Sequence, residues 1–164
     1  MQITGEMRFV TSTSLPLLPA AISVEPPVAG RADILASRAE SQWAFGAFVL
    51  SLPAGGSRER GGLILRLDGV LCFPELPNCA ASTRRFTAVV PPIDRIPGEL
   101  VGFWHTHCGA SIPSPLDWRQ LYRLNRRFGR SFVLCIKGRH AFSVATIGRF
   151  GIPLVSFRKL PSLH

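Results

Sequence analysis

Two histidines and an aspartate lie within a stretch of thirteen residues and could together bind a metal ion. His105 and His107 stand at the end of an apolar run, residues 99–104, that predicts a β-strand. Because successive side chains of a strand point to opposite faces, these two imidazoles lie on the same face. Asp117 adds a carboxylate oxygen from the next element. Two imidazoles and one carboxylate leave one tetrahedral position of Zn²⁺ open, which is typical of a catalytic zinc site.

The residues from Ser114 onward also have a structural interpretation. Ser114 is a favourable N-cap residue, a proline follows it, and Asp117 completes a capping box at the positive end of the helix dipole. The helix predicted for residues 117–130 nevertheless places Asp117 on its apolar face. That face consists of Leu121, Leu124 and Phe128. Burying an unpaired carboxylate is costly, so this position favours Asp117 as a metal ligand that also caps the helix.

The order and spacing of these residues resemble a known family. His105-Thr-His107, then a short loop with a glycine, then Pro113-Ser114-x-x-Asp117 is similar to the motif of the JAMM (JAB/MPN+) zinc metallopeptidases. Six residues separate the second histidine from the serine, one fewer than is common in the family. Cys108 stands where proline is usual, and its thiolate could compete for the open zinc position. We favour the interpretation that Cys108 is simply a small residue in a tight loop.

The family also has a glutamate ahead of a Gly-Leu-Leu-like strand, and Glu59 stands in the matching place. Residues 76–80 (Leu-Pro-Asn-Cys-Ala), followed by Phe86, resemble the connecting strand and loop of bacterial members. The resemblance covers residues 57–144, over half of the chain. Without it, Glu59 would be expected to be solvated within the charged run of residues 58–60, since acidic residues are mostly exposed.

The resemblance implies a role for each of five residues. His105, His107 and Asp117 would bind one Zn²⁺ per chain, which would activate water and polarise the scissile carbonyl. Glu59 would accept the proton of the water and later pass it to the leaving amine. The hydroxyl of Ser114 would donate a hydrogen bond to the oxyanion.

The resemblance also implies a fold and a class of substrate. The expected fold is a JAB/MPN-like (cytidine-deaminase-like) α/β sandwich, a mixed β-sheet flanked by helices, over residues 31–164 after a proline-rich segment of residues 1–30. Family members are often isopeptidases that act at the C-terminus of ubiquitin-like proteins. Bacterial members accompany E1-like and E2-like proteins, also in antiviral operons. The expected substrate is therefore a ubiquitin-like protein or its conjugate, with E1-like or E2-like proteins as further partners.

Two other functions stay open at this point. Some family members cut cell-wall peptides in phage tails, and others have lost the metal and serve as scaffolds. A scaffold has no chemical need for a general base opposite a three-ligand site. The joint presence of Glu59, Ser114 and the three metal ligands therefore favours an enzyme.

The C-terminal part of the chain is strongly basic, and the net charge of the whole chain is +9. Residues 118–164 contain ten Lys or Arg and no Asp or Glu. Five arginines form a stripe opposite the apolar face of the predicted helix: Arg119, Arg123, Arg126, Arg127 and Arg130. Such a stripe can bind a nucleic acid or an acidic protein. It can equally be a solvated face of an arginine-rich chain.

Length and cysteine content indicate one domain with free thiols. The 164 residues are enough to bury one hydrophobic core. The four cysteines form no Cys-x-x-Cys pair and no clear signal peptide precedes them, so we expect a cytoplasmic protein. No apolar stretch has the length needed to span a bilayer.

Periodicity and turn residues predict two helices and a series of strands. The helices are expected at residues 32–52 and 117–130. The buried side of the first is expected to contain Leu35, Ala39, Trp43 and Phe45. The strands are expected at residues 7–11, 61–67, 69–74, 85–90, 99–106, 132–137, 141–147 and 154–157. Tight turns are expected at residues 67–69 and 138–140, and the second turn leaves His140 exposed and not a metal ligand.

Overall fold

The chain forms an α/β structure in which one mixed β-sheet separates two helices. The computed structural model describes residues 33–52, 58–81 and 86–161, with the backbone alone described for residues 33–39 and 149. The strand predicted at residues 7–11 and the proline-rich residues 1–30 lie outside these ranges. Within the described ranges, no helix is long and apolar enough to cross a membrane.

The described part of the chain contains two α-helices, six strands and two short 3₁₀ helices, Ile93–Arg95 and Arg149–Gly151. The helices are α1 (Asp33–Ser51) and α2 (Pro115–Phe128). The strands are β1 (Gly61–Leu67), β2 (Val70–Cys72), β3 (Glu99–Thr106), β4 (Val133–Lys137), β5 (Ala141–Ile147) and β6 (Pro153–Lys159). Both predicted helices and six of the predicted strands are confirmed to within two residues at each end, although the strand predicted at residues 69–74 is shortened to the three residues of β2.

The strands form one sheet in the order β2-β1-β3-β4-β5-β6. All neighbouring strands are antiparallel except β3 and β4, which are parallel. Parallel strands need a crossover connection, and here α2 lies in the connection from β3 to β4. The end of β3 and the start of α2 are therefore separated only by a short loop. This topology brings the two histidines of the motif close to Asp117.

Each face of the sheet has its own hydrophobic core and its own helix. The core on the α2 face includes Leu63, Phe86, Phe103, Leu121, Leu124, Phe132 and Ile136. The core on the α1 face includes Phe45, Val49, Trp104, Val133, Phe142 and Val144. Burial on both faces explains why β3 and β4 are apolar along nearly their whole length instead of alternating with polar residues.

A β-bulge in β3 determines which face His105 points to. Leu100 and Gly102 lie opposite consecutive residues of β1, so Val101 has no partner of its own in that strand. This extra residue interrupts the alternation, and Leu100 and Phe103 both belong to the core on the α2 face. Strict alternation from Leu100 would turn His105 toward α1. With the bulge, His105 lies on the same face as Phe103 and points toward α2.

Both predicted turns are confirmed. Asp68 and Gly69 join β1 to β2 with φ of 49° and 79°, the positive values that a type I′ hairpin turn requires. Residues 138–140 join β4 to β5, and His140 is exposed. This histidine is therefore placed as the sequence predicts.

The strand predicted at residues 85–90 is wrong over its described part. Residues 86–90 carry no strand, only an isolated bridge at Val89. Phe86, Ala88 and Val90 are buried in the core on the α2 face, while the residues between them are partly exposed. This alternation is the pattern that predicted a strand. It arises because an extended segment packs over the core without joining the six-stranded sheet.

The predicted burial of Trp43 is also wrong, since 82% of its surface is exposed. The buried side chains of α1 recur every four residues and are Ser41, Phe45 and Val49. Residues 43–50 are apolar around most of the helix, so periodicity alone does not identify the side that faces the sheet. The burial of Phe45 is confirmed, while the side chains of residues 35 and 39 lie outside the described part.

Two substitutions in α1 test which side is buried. Phe45→Ala is expected to lower the free energy of unfolding by about 3–5 kcal/mol, because it leaves a cavity in the core. Trp43→Ala removes an exposed ring and is expected to change it by less than about 0.5 kcal/mol. Urea denaturation followed by circular dichroism measures both values. Similar losses for the two variants would contradict the burial described above.

Candidate metal centre

Three buried side chains meet at the C-terminal end of β3. The Nε2 atoms of His105 and His107 are 3.0 Å apart. Asp117 lies across from both, with Oδ1 at 3.4 Å from Nε2 of His105 and Oδ2 at 3.6 Å from Nε2 of His107. The ligand atoms of the three residues all lie within 4.8 Å of one another, and all three residues are buried. This group could hold a metal ion with two nitrogen ligands and one oxygen ligand.

A backbone carbonyl orients the ring of His107. Its Nδ1 lies 3.1 Å from the carbonyl oxygen of Ala110, so Nδ1–H is assigned as the donor of this hydrogen bond. The lone pair of this imidazole is then on Nε2, which faces His105 and Asp117. Metal-binding histidines commonly have such a partner on the other ring nitrogen, and it sets both the tautomer and the ring orientation.

The ring of His105 is uncharged at neutral pH. Complete burial lowers its pKa from 6.5 to about 4, because the charged imidazolium loses its hydration, and the nearby His107 lowers it slightly further. The carboxylate of Asp117 opposes this shift and does not reverse it. A neutral imidazole is the form that binds a metal ion, so the site requires no deprotonation of His105 at neutral pH.

The loop after His107 is held against the turn between β4 and β5. The N–H of His107 donates to the carbonyl of Lys137 at 2.7 Å, and the N–H of Arg139 donates to the carbonyl of Gly109 at 2.7 Å. A Cβ at Gly138 would lie 2.5 Å from the backbone nitrogen of Ser111, so only glycine permits this approach. Packing against this turn therefore fixes the loop between His107 and Ser114.

Asp117 caps α2 and faces the histidines at the same time. Its Oδ2 accepts a hydrogen bond of 2.6 Å from the N–H of Ser114, and its own N–H donates to Oγ of Ser114 at 3.2 Å. These two bonds form the predicted capping box. The structural and the metal-ligand interpretations of Asp117 are thus compatible. Because Oγ of Ser114 acts as an acceptor here, its O–H hydrogen is left for another acceptor.

Glu59 is buried and is not the solvated residue that composition alone would predict. Its exposed fraction is 1%, and neither carboxylate oxygen has a hydrogen bond of good geometry within the described ranges. The pKa of Glu59 rises from 4.5 to about 7, first because of burial and then because of the negative charge of Asp117. The backbone N–H of Phe86 opposes this rise only in part. Gly61, two residues further along the chain, pairs with His105 in the sheet, so Glu59 lies beside the strand that carries the histidines.

The two arginines beside Glu59 point elsewhere. The guanidinium of Arg60 forms a two-bond ion pair with Glu75, at 2.8 and 2.5 Å. The guanidinium of Arg58 donates to the backbone carbonyl of Asn78 at 2.9 Å. Neither guanidinium is a described partner of the Glu59 carboxylate. The raised pKa of Glu59 is consistent with this arrangement.

Backbone contacts hold Glu59 next to β3. The N–H of Arg60 donates to Oγ1 of Thr106 at 2.9 Å, and the N–H of Thr106 donates to the carbonyl of Arg60 at 2.8 Å. Thr106 stands between the two histidines of the motif. The side chain of Asn78 donates to the carbonyl of Glu59 at 2.8 Å from the other side. Sequence reasoning did not identify Thr106 or Asn78, because their contacts with residues 59–60 lie 19 to 46 positions away in the chain.

Two further predictions concern residues near this group. Cys108 is exposed in the loop and is not part of the group formed by His105, His107 and Asp117. The arginine stripe is confirmed for its four helical members, which are exposed: Arg119, Arg123, Arg126 and Arg127. Arg130 does not belong to it, because α2 ends at Phe128 and Gly129 turns the chain with a φ of 61°. The guanidinium of Arg130 contacts Glu99 and the carbonyl of Leu100 instead.

Comparison with protein-family models and with curated proteins finds no match to this chain. The chemistry of the site therefore has to be inferred from its residues, their burial and their distances.

The raised pKa of Glu59 predicts a pH-dependent stability of the metal-free chain. Between pH 4.5 and about 7 the folded chain keeps a proton on Glu59 that the unfolded chain releases. The contribution of Glu59 to the stability of the folded chain is complete below pH 4.5 and is lost as the pH rises through about 7. As the pH rises from 4.5 to about 7, the unfolding free energy of Glu59→Gln should therefore increase relative to that of the unmodified chain, by on the order of 3 kcal/mol in all. Urea denaturation with a chelator present measures this difference.

Glu75→Gln is the matched control for this measurement. The hydrogen bond from Arg60 lowers the pKa of Glu75, so its contribution is present at neutral pH and is lost as the pH falls through that lowered pKa. Between pH 4.5 and 7 the difference in unfolding free energy between this variant and the unmodified chain should therefore stay constant, and it should change only below pH 4.5. A difference between Glu59→Gln and the unmodified chain that does not change with pH would contradict the raised pKa.

Proposed function

We propose that this chain is a zinc-dependent hydrolase of amide bonds. The observation that carries the proposal is the group of three buried metal-ligating side chains, with the buried Glu59 two residues ahead of Gly61, which pairs with His105. Two imidazoles and a carboxylate leave a coordination position open for substrate or water. A carboxylate with a pKa near neutrality, placed beside such a group, is suited to moving a proton.

The donor set favours zinc over other common metal ions. Mg²⁺ and Ca²⁺ prefer oxygen ligands, whereas two of the three ligands here are imidazole nitrogens. Non-haem iron also uses two histidines and one carboxylate. The adjacent Glu59 favours zinc, because a general base serves hydrolysis. When bound, the zinc ion would supply the Lewis acidity that activates water and polarises a carbonyl.

The side chains around the metal have distinct tasks in this proposal. Glu59 accepts the proton of the attacking water and delivers it to the nitrogen of the leaving amine. Ser114 directs its free O–H hydrogen at the oxyanion of the tetrahedral intermediate, while its oxygen remains bonded to the N–H of Asp117. The capping box thus fixes the rotamer of the proposed oxyanion donor before substrate binds.

The resemblance to JAMM peptidases supports a finer proposal about fold and substrate. The sandwich would be of the JAB/MPN-like type, and the substrate would be the C-terminus of a ubiquitin-like protein or its conjugate. E1-like and E2-like proteins would then be functional partners. A cell-wall peptide is the other amide substrate, and an inactive scaffold is the alternative without chemistry. Retention of Glu59 beside the three ligands supports hydrolysis over a scaffold.

Metal content and turnover test the proposal together. The chain without a histidine tag should contain about one zinc per chain, measured by mass spectrometry of the metal, and His105→Ala should contain none. Glu59→Gln should retain the zinc and lose at least about 100-fold in turnover of a ubiquitin-like protein fused at its C-terminus to a reporter peptide. Iron in place of zinc, or full turnover by Glu59→Gln, would refute the mechanism.

Asn78 is proposed as a positioning residue for Glu59. Its Nδ2 donates to the carbonyl of Glu59 at 2.8 Å. Its Oδ1 accepts from the N–H of Ala80 at 2.9 Å and from that of Thr87 at 3.2 Å. Thr87 follows Phe86, whose backbone N–H opposes the rise in the pKa of Glu59. One amide side chain therefore connects the backbone of Glu59 to the segment that contains Phe86.

Asn78→Asp removes the hydrogen bond that Nδ2 donates to Glu59 and keeps an oxygen that can accept from Ala80 and Thr87. We expect about 10- to 100-fold lower kcat with unchanged KM and zinc content, because the base is displaced from the reacting atoms. Asn125→Ala is the control, since Oδ1 of Asn125 accepts from the N–H of Phe132 at 3.0 Å, outside the metal centre. Asn125→Ala should lose stability and keep kcat. Equal kcat for Asn78→Asp and Asn125→Ala would rule out the positioning role.

A further inference from the structure

We propose that the exposed side of α2 binds the phosphodiester backbone of a nucleic acid, independently of the metal centre. Five residues of α2 are exposed: Pro115, Arg119, Arg123, Arg126 and Arg127. Four of these five are arginines, and we call them the arginine row. No carboxylate within the described ranges forms an ion pair with any of the four. The row is therefore a line of positive charge without an internal counterion in that part of the chain.

The helix itself does not explain this arrangement. Arg123 is four residues from Arg119 and from Arg127 and three from Arg126, and like charges at these spacings each cost about 0.2–0.5 kcal/mol. Arg119 also lies in the positive first half of the helix dipole. Only Arg126 and Arg127, in the last turn, complement the dipole. An anionic partner would relieve the repulsion along the row.

Arginine-rich composition accounts for the number of arginines and not for their placement. Some arginines elsewhere in the structure are paired with carboxylates: Arg60 with Glu75, Arg66 with Glu40 and Glu99, and Arg130 with Glu99. Others, such as Arg95, Arg139 and Arg158, have no described carboxylate partner and are scattered over the surface. The arginine row differs from both groups because four arginines without a described carboxylate partner follow one another along one side of a single helix.

The surroundings of the row favour a nucleic acid over an acidic protein. Protein interfaces have a core of apolar and aromatic side chains, and the exposed side of α2 offers none apart from Pro115. Phosphates require only positive charge and N–H donors, and a guanidinium can bind a phosphate with two parallel bonds. From Arg119 to Arg127 the helix rises about 12 Å. That length matches about three to four base-pair steps along one strand of a duplex.

The experiment compares two variants that lose the same charge. One replaces all four members of the arginine row with Gln. The other replaces four exposed basic residues outside α2 with Gln: Arg95, Arg139, Arg158 and Lys159. Each variant lowers the net charge from +9 by four, so a non-specific effect of charge would be equal in both. Fluorescence anisotropy with a labelled duplex of random sequence, between about 50 and 200 mM salt, measures the affinities.

The unmodified chain should bind the duplex, with the same affinity in a chelator as with zinc present. Loss of the arginine row should weaken binding at least tenfold. It should also reduce the slope of log affinity against log salt by about 3.6, because each of the four lost phosphate contacts reduces it by about 0.9. The control variant should change affinity less than threefold. Equal losses in the two variants, absence of binding, or equally tight binding of labelled polyglutamate would each overturn the proposal.

Discussion

The burial of the Asp117 carboxylate is the constraint on which the site and the crossover both depend. A buried carboxylate must be compensated, and here the N–H of Ser114 and the two histidines surround it. The first contact fixes the start of α2, and the others tie that start to the end of β3. The same oxygen atoms that begin the helix therefore determine where the helix docks. Leu121 and Leu124, in the same core as Phe103 of β3, hold the rest of the helix against the sheet.

The protein's own groups compensate the buried carboxyl groups only in part, and this incomplete compensation bears on function. Asp117 and Glu59 bring two carboxyl groups into one buried region, opposite two imidazoles of which His105 is held neutral by burial. The raised pKa of Glu59 and the lowered pKa of His105 have the same first cause, the loss of hydration. A divalent cation among these groups would replace the lost hydration of the carboxylates. The cost of burial in the metal-free chain is thus consistent with a site built for a cation.

Local sequence patterns predict the features that depend on neighbouring residues. They fail for features that are determined by contacts between residues far apart in the chain. The capping box, the type I′ turn at Asp68 and the spacing of His105 and His107 are local features and are observed as predicted. The exposure of Trp43 and the unpaired segment 86–90 depend on which surface packs against the sheet. The roles of Thr106 and Asn78 depend on backbone groups far away in the chain. The bulge at Val101 has no sequence signal beyond the adjacent glycine, yet it decides the face on which His105 lies.

The two sides of α2 show why one short helix can carry two unrelated kinds of chemistry. The inner side, with Asp117, Leu121 and Leu124, is buried and determined by packing. The four arginines of the outer side belong to neither core, although the guanidinium of Arg127 lies 5.4 Å from the centroid of the Phe128 ring, which packs against the core on the α2 face. Core packing therefore does not account for the arginines that repel one another along the outer side. Because the inner side alone fixes the metal ligand, charge on the outer side can serve a separate partner without disturbing the geometry of the metal centre.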